Sequence, residues 1–310
     1  EDHDIEEINH TYTMVNGELK KRGYSERSKL KKMASTTELN GEALEQFIVN
    51  VFKDFGETQY TEDLLENVLQ RASESKTFTD FFTLLMNDLF NKHGLLMLDA
   101  TFEPFRQYEK TYFAQLVEHN EQIAKGVFAQ EQKLAQAAYP KPIEATEQNA
   151  NLFYIREGER FLLERQKDFF KNSAASVKFS KEELLAFASE SPQNLSNNVV
   201  TRPLMQEMAL PVLAFVGGPG ELAYWATLKP AFETLQLQMP IFAPRLSMTL
   251  ITRQVETLLK QKELTVTDVF TNKNEQKMAQ FVESLKDDRV NNAIEQMKMQ
   301  LHRQYEELTD

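Results

Sequence analysis

Apolar residues recur at helical spacing through the first third of the chain. Leu44, Phe47, Ile48, Val51 and Phe55 fall on one face before Gly56, a stop signal. Thr61 is expected to cap a second helix carrying Leu64, Leu65, Val68 and Leu69. A third helix spans 78–92, with Phe78, Phe81, Phe82, Leu85, Leu89 and Phe90 on one side, and ends at Gly94. Leu95–Leu98 is then a short apolar run ahead of Asp99, the pattern of a buried parallel strand. Pro104 and Phe105 open a helix predicted to run to about Ala138, where Tyr139-Pro140-Lys141-Pro142 stops it.

The pattern then changes period. Leu152–Ile155 and Arg160–Leu163 flank Gly158 and predict a β-hairpin near 150–165. Ser180 with Glu183 forms a capping box ahead of a short helix, and 199–209 reads as another. Leu210–Val216 predicts a second buried strand running into Gly217-Gly218-Pro219-Gly220, with helix over Glu221–Phe232. Met239–Ala243 is a third strand, ending at Pro244-Arg245. From Thr252 onward glycine and proline nearly vanish, and Phe281, Val282, Leu285, Ile294, Met297, Leu301 and Leu308 suggest a long helix with a coiled-coil-like seam. Strands alternating with helices imply an α/β fold with a parallel sheet, in which ligands bind beyond the carboxyl ends of the strands.

Composition narrows the chemistry. A length of 310 residues suggests about two domains. The net charge of −12 argues against a broad nucleic-acid or anionic-membrane surface. No run approaches the length of a membrane span. There are no cysteines, which excludes disulfides, thiolate catalysis and cysteine-ligated zinc. Of only 10 glycines, three stand together at 217, 218 and 220.

Four places carry candidate chemistry. Glu1-Asp2-His3-Asp4, with Asn9-His10, groups two of the five histidines with several acids. His3 or His10 could move a proton, with Asp2 or Asp4 orienting it. The spacing matches no common metal-ligand motif, so no metal is expected; the other reading is a charged segment without chemistry. The glycine loop allows close backbone approach and places a helix N-terminus beyond a strand, although it is neither a dinucleotide fingerprint nor a P-loop. Arg202, just ahead of Pro203, could bind a carboxylate or phosphate bidentately, or form a surface ion pair. Tyr224, Trp225 and Arg245 lie where they could line the same cleft, and for Trp225 packing is the competing role.

These motifs coincide in one family. The opening EDHD, the Asn198–Pro203 segment, the stretch LAFVGGPGELAYW over 213–225, Lys229-Pro230, Met239-Pro240 and Pro244-Arg245 together resemble the cysteine-adding ligase family of bacillithiol biosynthesis. The resemblance implies a Rossmann-like core over 1–250 with a helical connecting segment inserted at about 26–93, then the start of a coiled-coil domain over 251–310. It implies that the EDHD motif follows a strand inside the core, so the sequence reads as an internal piece of a longer protein, lacking part of the core and inactive alone. It further implies a cytoplasmic homodimer that joins cysteine to glucosaminyl-malate, with ATP or another nucleotide as activator. On this reading the catalytic candidates are His3, Asp2 and His10. Substrate or nucleotide contacts fall to Asp4, Asn198, Arg202, Gly217, Gly218, Gly220, Glu221, Tyr224 and Arg245. The competing readings are a nucleotide-binding dimeric scaffold and a nucleotidyltransferase of the same broad fold.

Overall fold

The computed structural model describes residues 8–24, 33–167, 169–174, 176–285 and 288–306. The chain divides into two units, Glu1–Arg245 and Leu246–Asp310.

The first unit opens with a hairpin that the hydrophobic pattern does not announce. Strands β1 (His10–Val15) and β2 (Glu18–Gly23) pair antiparallel. Their two-residue turn, Asn16-Gly17, has φ of 52° and 83°, and an Asn-Gly pair adopts such left-handed angles at little cost. Helix α1 (Gly41–Phe55) packs on this hairpin, α2 (Thr61–Glu74) packs on α1, and α3 (Phe78–Phe90) packs on α2. Asn40 caps α1 by accepting from Ala43 N–H, and Gly56 ends it at φ 74°. Thr61 does not cap α2; its hydroxyl accepts from Thr58 N–H at 2.8 Å while Tyr60 holds the cap position. Tyr24, Leu44 and Ile48 form a small core with Phe47, Phe52, Leu65 and Phe78 around them. A polar clamp fixes the hairpin to α1: Arg22 Nε donates to Asp54 Oδ2 at 2.5 Å and Thr13 Oγ1 donates to the same oxygen at 2.7 Å.

The predicted strand at 95–98 is not formed. No described strand pairs with it, and Leu96 is 91% exposed. The helix expected over 104–138 is two, α4 (Glu103–Glu118) and α5 (Asn120–Gln136), broken at His119. The break has a cause: Asn120 is buried and its Nδ2 donates to Ala150 O at 2.5 Å, which ties the start of α5 to the next strand. After α5, the buried carboxylate of Glu131 accepts from Ile143 and Ala145 N–H at 3.1 and 2.7 Å, holding the proline-rich connection in place.

The expected hairpin is present as β3 (Asn149–Arg156) and β4 (Glu159–Gln166), turning at Glu157-Gly158. With β5 (Phe169–Lys171), β6 (Lys178–Ser180) and β7 (Leu195–Asn197) it makes a five-stranded sheet in the order β6-β5-β4-β3-β7, antiparallel throughout. The capping box at Ser180 and Glu183 opens α6 (Lys181–Glu190). Helix α7 (Thr201–Ala209) follows β7. The parallel element is β8 (Ala214–Gly217) beside β9 (Ile241–Pro244), joined through α8 (Pro219–Trp225) and α9 (Lys229–Thr234). Here the sequence reading needs three corrections. The helix expected over 221–232 is interrupted at Ala226–Leu228, β8 starts only at Ala214, and the strand is not buried: Leu213 and Val216 are 82% and 63% exposed. The main core lies among α4, α5, the antiparallel sheet and α6–α9, around Phe113, Leu152, Leu184, Leu204, Trp225 and Phe232. Architecture is thus α/β, with a parallel element of two described strands.

In the second unit the predicted single long helix is a series: α10 (Arg253–Gln261), α11 (Val266–Phe270), α12 (Lys273–Ser284) and α13 (Asp288–Glu306). Thr265 with Asp268 starts α11 with a capping box, and Asn272 at φ 56° separates α11 from α12.

Two outcomes follow. Arg22, and then Thr13, hold the Asp54 carboxyl far below the ordinary carboxylate range by donating to its charged form. The unfolded chain therefore takes up this proton first as pH falls. The clamp's contribution is complete above about pH 4 and declines below it; urea melts from about pH 6 to pH 3 should show this slope diminished in Asp54→Asn. Gly126 on α5 lies so close to α9 that an added Cβ would sit 2.9 Å from Pro230 Cβ. Overpacking of about 1–3 kcal/mol should outweigh the roughly 1 kcal/mol that alanine gains in a helix, so Gly126→Ala should lose about 1 kcal/mol in denaturant melts.

Candidate functional site

The parallel strands end side by side. Gly217 pairs with Pro244, and Arg245 N–H donates to Gly217 O at 2.8 Å, so the glycine loop and Arg245 meet at the carboxyl edge. Glycine is required at 217 for packing: a Cβ there would lie 2.7 Å from Phe242 Cζ and 2.8 Å from Phe215 Cε1. At Gly218 a Cβ would lie 2.6 Å from Arg245 Nη2. The loop therefore seats a guanidinium against backbone. Gly218 N–H donates to the Glu221 carboxylate at 2.5 Å, and Pro219 has no N–H to give. The loop thus satisfies its own first donor, and its open approach is at Gly220, where nothing stands within 4 Å of an added Cβ.

One turn along α8 from Glu221, the Tyr224 hydroxyl accepts from Arg202 Nη2 at 2.6 Å. Arg202 Nη1 also reaches Gln206 Oε1 at 3.5 Å, and the guanidinium lies 5.6 Å from the Phe215 ring centre. Arg202 is in this way linked to the same helix that carries the loop. Trp225 is a packing residue rather than a cleft wall: it is 2% exposed and stacks on Phe215 at 4.4 Å, with Phe232 and Phe242 beside it.

Asn198 acts one step behind this cluster. Its Oδ1 accepts from Val200 and Thr201 N–H at 2.9 and 3.2 Å, and its Nδ2 donates to Asn151 Oδ1 at 3.0 Å. Thr201 Oγ1 donates to Asn151 O at 2.6 Å. These bonds set where α7 begins, and hence where Arg202 stands. His10 stands apart. It lies on β1, against an apolar cavity of about 560 Å³ bordered by Phe47, Val51 and Phe78, with Nδ1 3.3 Å from Asn9 Oδ1. No described contact joins it to the glycine loop. Asp2, His3 and Asp4 lie outside the described residues.

A cleft of about 460 Å³ adjoins Arg202 and is bordered by Asp99, Asn197 and Gln206. Asn197 was not singled out by sequence reasoning, because an asparagine in a polar run carries no signal until its burial is known. Asp99 was noted as the end of a strand; it sits instead in a turn, with Oδ1 accepting from Thr101 N–H and Oγ1 at 2.8 and 2.9 Å. Among the described residues, no group of three or more His, Asp or Glu is placed to hold a metal ion, and no helix is long and apolar enough to cross a membrane.

Thr201→Val tests the support of Arg202. It should leave the buried Asn151 carbonyl without this donor and cost about 1–3 kcal/mol in equilibrium melts, with no change in side-chain volume to blame.

Two family models match this sequence. The bacillithiol biosynthesis BshC N-terminal Rossmann-like domain covers residues 1–246, and the C-terminal coiled-coil domain of the same family covers 248–310. A relative from Lysinibacillus sphaericus named "Putative cysteine ligase BshC" is 56% identical over 99% of this chain and 57% of its own length. Relatives of the same name from Geobacillus kaustophilus and Bacillus licheniformis are 43% and 40% identical over 87% and 84% of this chain, and 50% and 49% of their own lengths. The chain spans about half the length of the curated relatives it matches. Two adjoining domain matches and identities at this level place the chain in the bacillithiol biosynthesis BshC family.

Proposed function

We propose that this protein acts as an amide-forming ligase that joins cysteine to glucosaminyl-malate, the last step of bacillithiol biosynthesis, in the cytoplasm. Family membership supports the reaction class, and the observation that carries the site is the cluster at the carboxyl edge of the parallel strands: Gly217–Gly220, Glu221 and Arg245, with Tyr224 linking Arg202 to α8. Joining a carboxylate to an amine is uphill in water. The cysteine carboxyl needs an activating group, and the amine must attack as the neutral form. The amine nitrogen then bonds to the carboxyl carbon, the bond to the activating group breaks, and a base takes the amine proton. Cysteine is absent from the sequence, which suits an enzyme whose thiol belongs to the substrate.

The residues at the edge fit the anionic end of a nucleotide. Arg245 and the open approach at Gly220 would meet its phosphates. Bound there, ATP would supply the activation of the carboxyl group. Arg202, oriented by Tyr224, would hold a carboxylate and stabilise the negative charge that develops on it. The base is assigned to His3 with Asp2 or Asp4, rather than to His10 on its apolar cavity. Self-association is assigned to the coiled-coil unit, where Met297 and Leu301 are 66% and 67% exposed on α13.

The protein expressed from its complete reading frame should form bacillithiol from cysteine, glucosaminyl-malate and ATP, detected by mass spectrometry. No product with any nucleotide overturns the ligase reading. Arg202→Ala should lower kcat/KM by about 100-fold, and Arg202→Lys should not restore it, because an ammonium lacks the planar fork. Met297→Glu with Leu301→Glu should convert a dimer to a monomer in light scattering; a persisting dimer would move the interface elsewhere.

A further inference from the structure

The first hairpin and the three helices beside it border an apolar cavity of about 560 Å³. Small-molecule sites occupy about 300–1,000 Å³, whereas packed interiors hold few voids larger than a water molecule. This space is therefore no packing defect. Left empty, it forfeits the dispersion contacts that its lining could make, and water entering it would find few partners. Ile48 is buried at its border, and Phe47, Phe52, Phe78 and Phe81 are half-buried there. Phe82, also on the border, is 49% exposed, so the space can be reached from solvent.

The lining narrows the ligand by shape and by polarity. On α3 it extends from Phe78 to Leu85, about two turns or roughly 10 Å of helix, and on α1 from Phe47 to Phe52. That length suits an extended chain better than a single ring. Among the described lining residues, the polar ones are His10, Thr11 and Thr79, and none is acidic. His10 Nδ1 lies 3.3 Å from Asn9 Oδ1. His10 Nε2 and the Thr11 hydroxyl have no hydrogen-bond partner among the described residues, and neither atom is shielded from solvent. A purine or a sugar would bring many polar atoms against a wall with few groups to meet them, and each one left unpaired weakens binding. A hydrocarbon with one oxygen-bearing head group avoids that cost.

We propose that this cavity binds a medium-length aliphatic chain with a single oxygen-bearing head, in which His10 and Thr11 hold the head and the phenylalanines of α1 and α3 hold the chain. The assignment is independent of the ligase reading. Thr79 and Phe82 border both this cavity and the cleft beside Arg202, so α3 is the wall that the two spaces share. Aliphatic acids and alcohols have this chemistry in common, and the test separates them.

Calorimetric titration of the full chain with hexanoate, octanoate, decanoate and octanol, each below its micelle concentration, tests the proposal. Each two-carbon step among the acids should tighten binding about tenfold. Whichever of octanoate and octanol binds more tightly identifies the head. His10→Ala should weaken all three acids by one common factor, about fivefold, and leave the step between them unchanged. Val51→Phe should fill the space, abolish binding and melt no lower than the parent. If that variant does not fold, as judged by its thermal melt, Leu85→Phe takes its place. No binding by any chain, affinity that does not change with chain length, or binding that survives in a folded filling variant would overturn the site. Indole binding more tightly than decanoate would overturn the aliphatic assignment, and unchanged affinity in His10→Ala would overturn the placement of the head.

Discussion

A bulge in one strand organises the site. Between Asn149↔Glu164 and Phe153↔Leu162, β3 advances four residues while β4 advances two, and Asn151 takes φ 55°. Extra residues in a strand leave backbone groups outside the ladder, and in a buried strand those groups need other partners. Two side chains from distant parts of the chain provide them, Asn120 to Ala150 O and Thr201 to Asn151 O, while Asn198 donates to the Asn151 side chain at Oδ1. One irregularity thereby breaks the α4–α5 helix, fixes the start of α7 and places Arg202 next to the bond that anchors it. The bulge is nearly solvent-free, with Ala150 and Thr201 0% and 1% exposed, so none of these bonds can be replaced cheaply by water.

A second constraint builds the strand edge. Phe215, Trp225, Phe232 and Phe242 pack behind β8 and β9, with ring centres 4.4 to 5.9 Å apart. Aromatic packing this close leaves no room for a side chain at 217, and the loop that follows passes against Arg245. The glycines at 217 and 218 are thus fitted to rings and a guanidinium, and only Gly220 faces open space. Glu221 then occupies the donor that an anion at the start of α8 would have met first, so an anion placed there would face the arginines rather than that backbone N–H.

Much of the local structure was legible. The capping box at Ser180, the stops at Gly56 and Gly94, and the hairpin at Gly158 all depend on contacts within a few residues, so pattern alone reports them. The Asn16-Gly17 turn was equally local and was missed because β1 and β2 are mostly polar or half-exposed and show no clean alternation. Leu95–Leu98 misled for the opposite reason. An apolar run reads as a buried strand only if a partner strand exists, and sequence does not report partners.

For the site, the residue types at the strand ends and the family they indicate were present in the sequence: three clustered glycines, Arg202, Tyr224 and Arg245. What each of them touches was not. That Tyr224 orients Arg202 across 22 residues, that Asn198 serves the fold of α7, and that Asn197 keeps a buried oxygen unpaired among the described residues are consequences of segments meeting in space. Sequence determined the local elements and the chemical inventory, because backbone preference and side-chain identity act at short range. Tertiary structure decided which polar groups are satisfied and which remain available to a ligand, because desolvation depends on everything packed around an atom rather than on its neighbours in the chain.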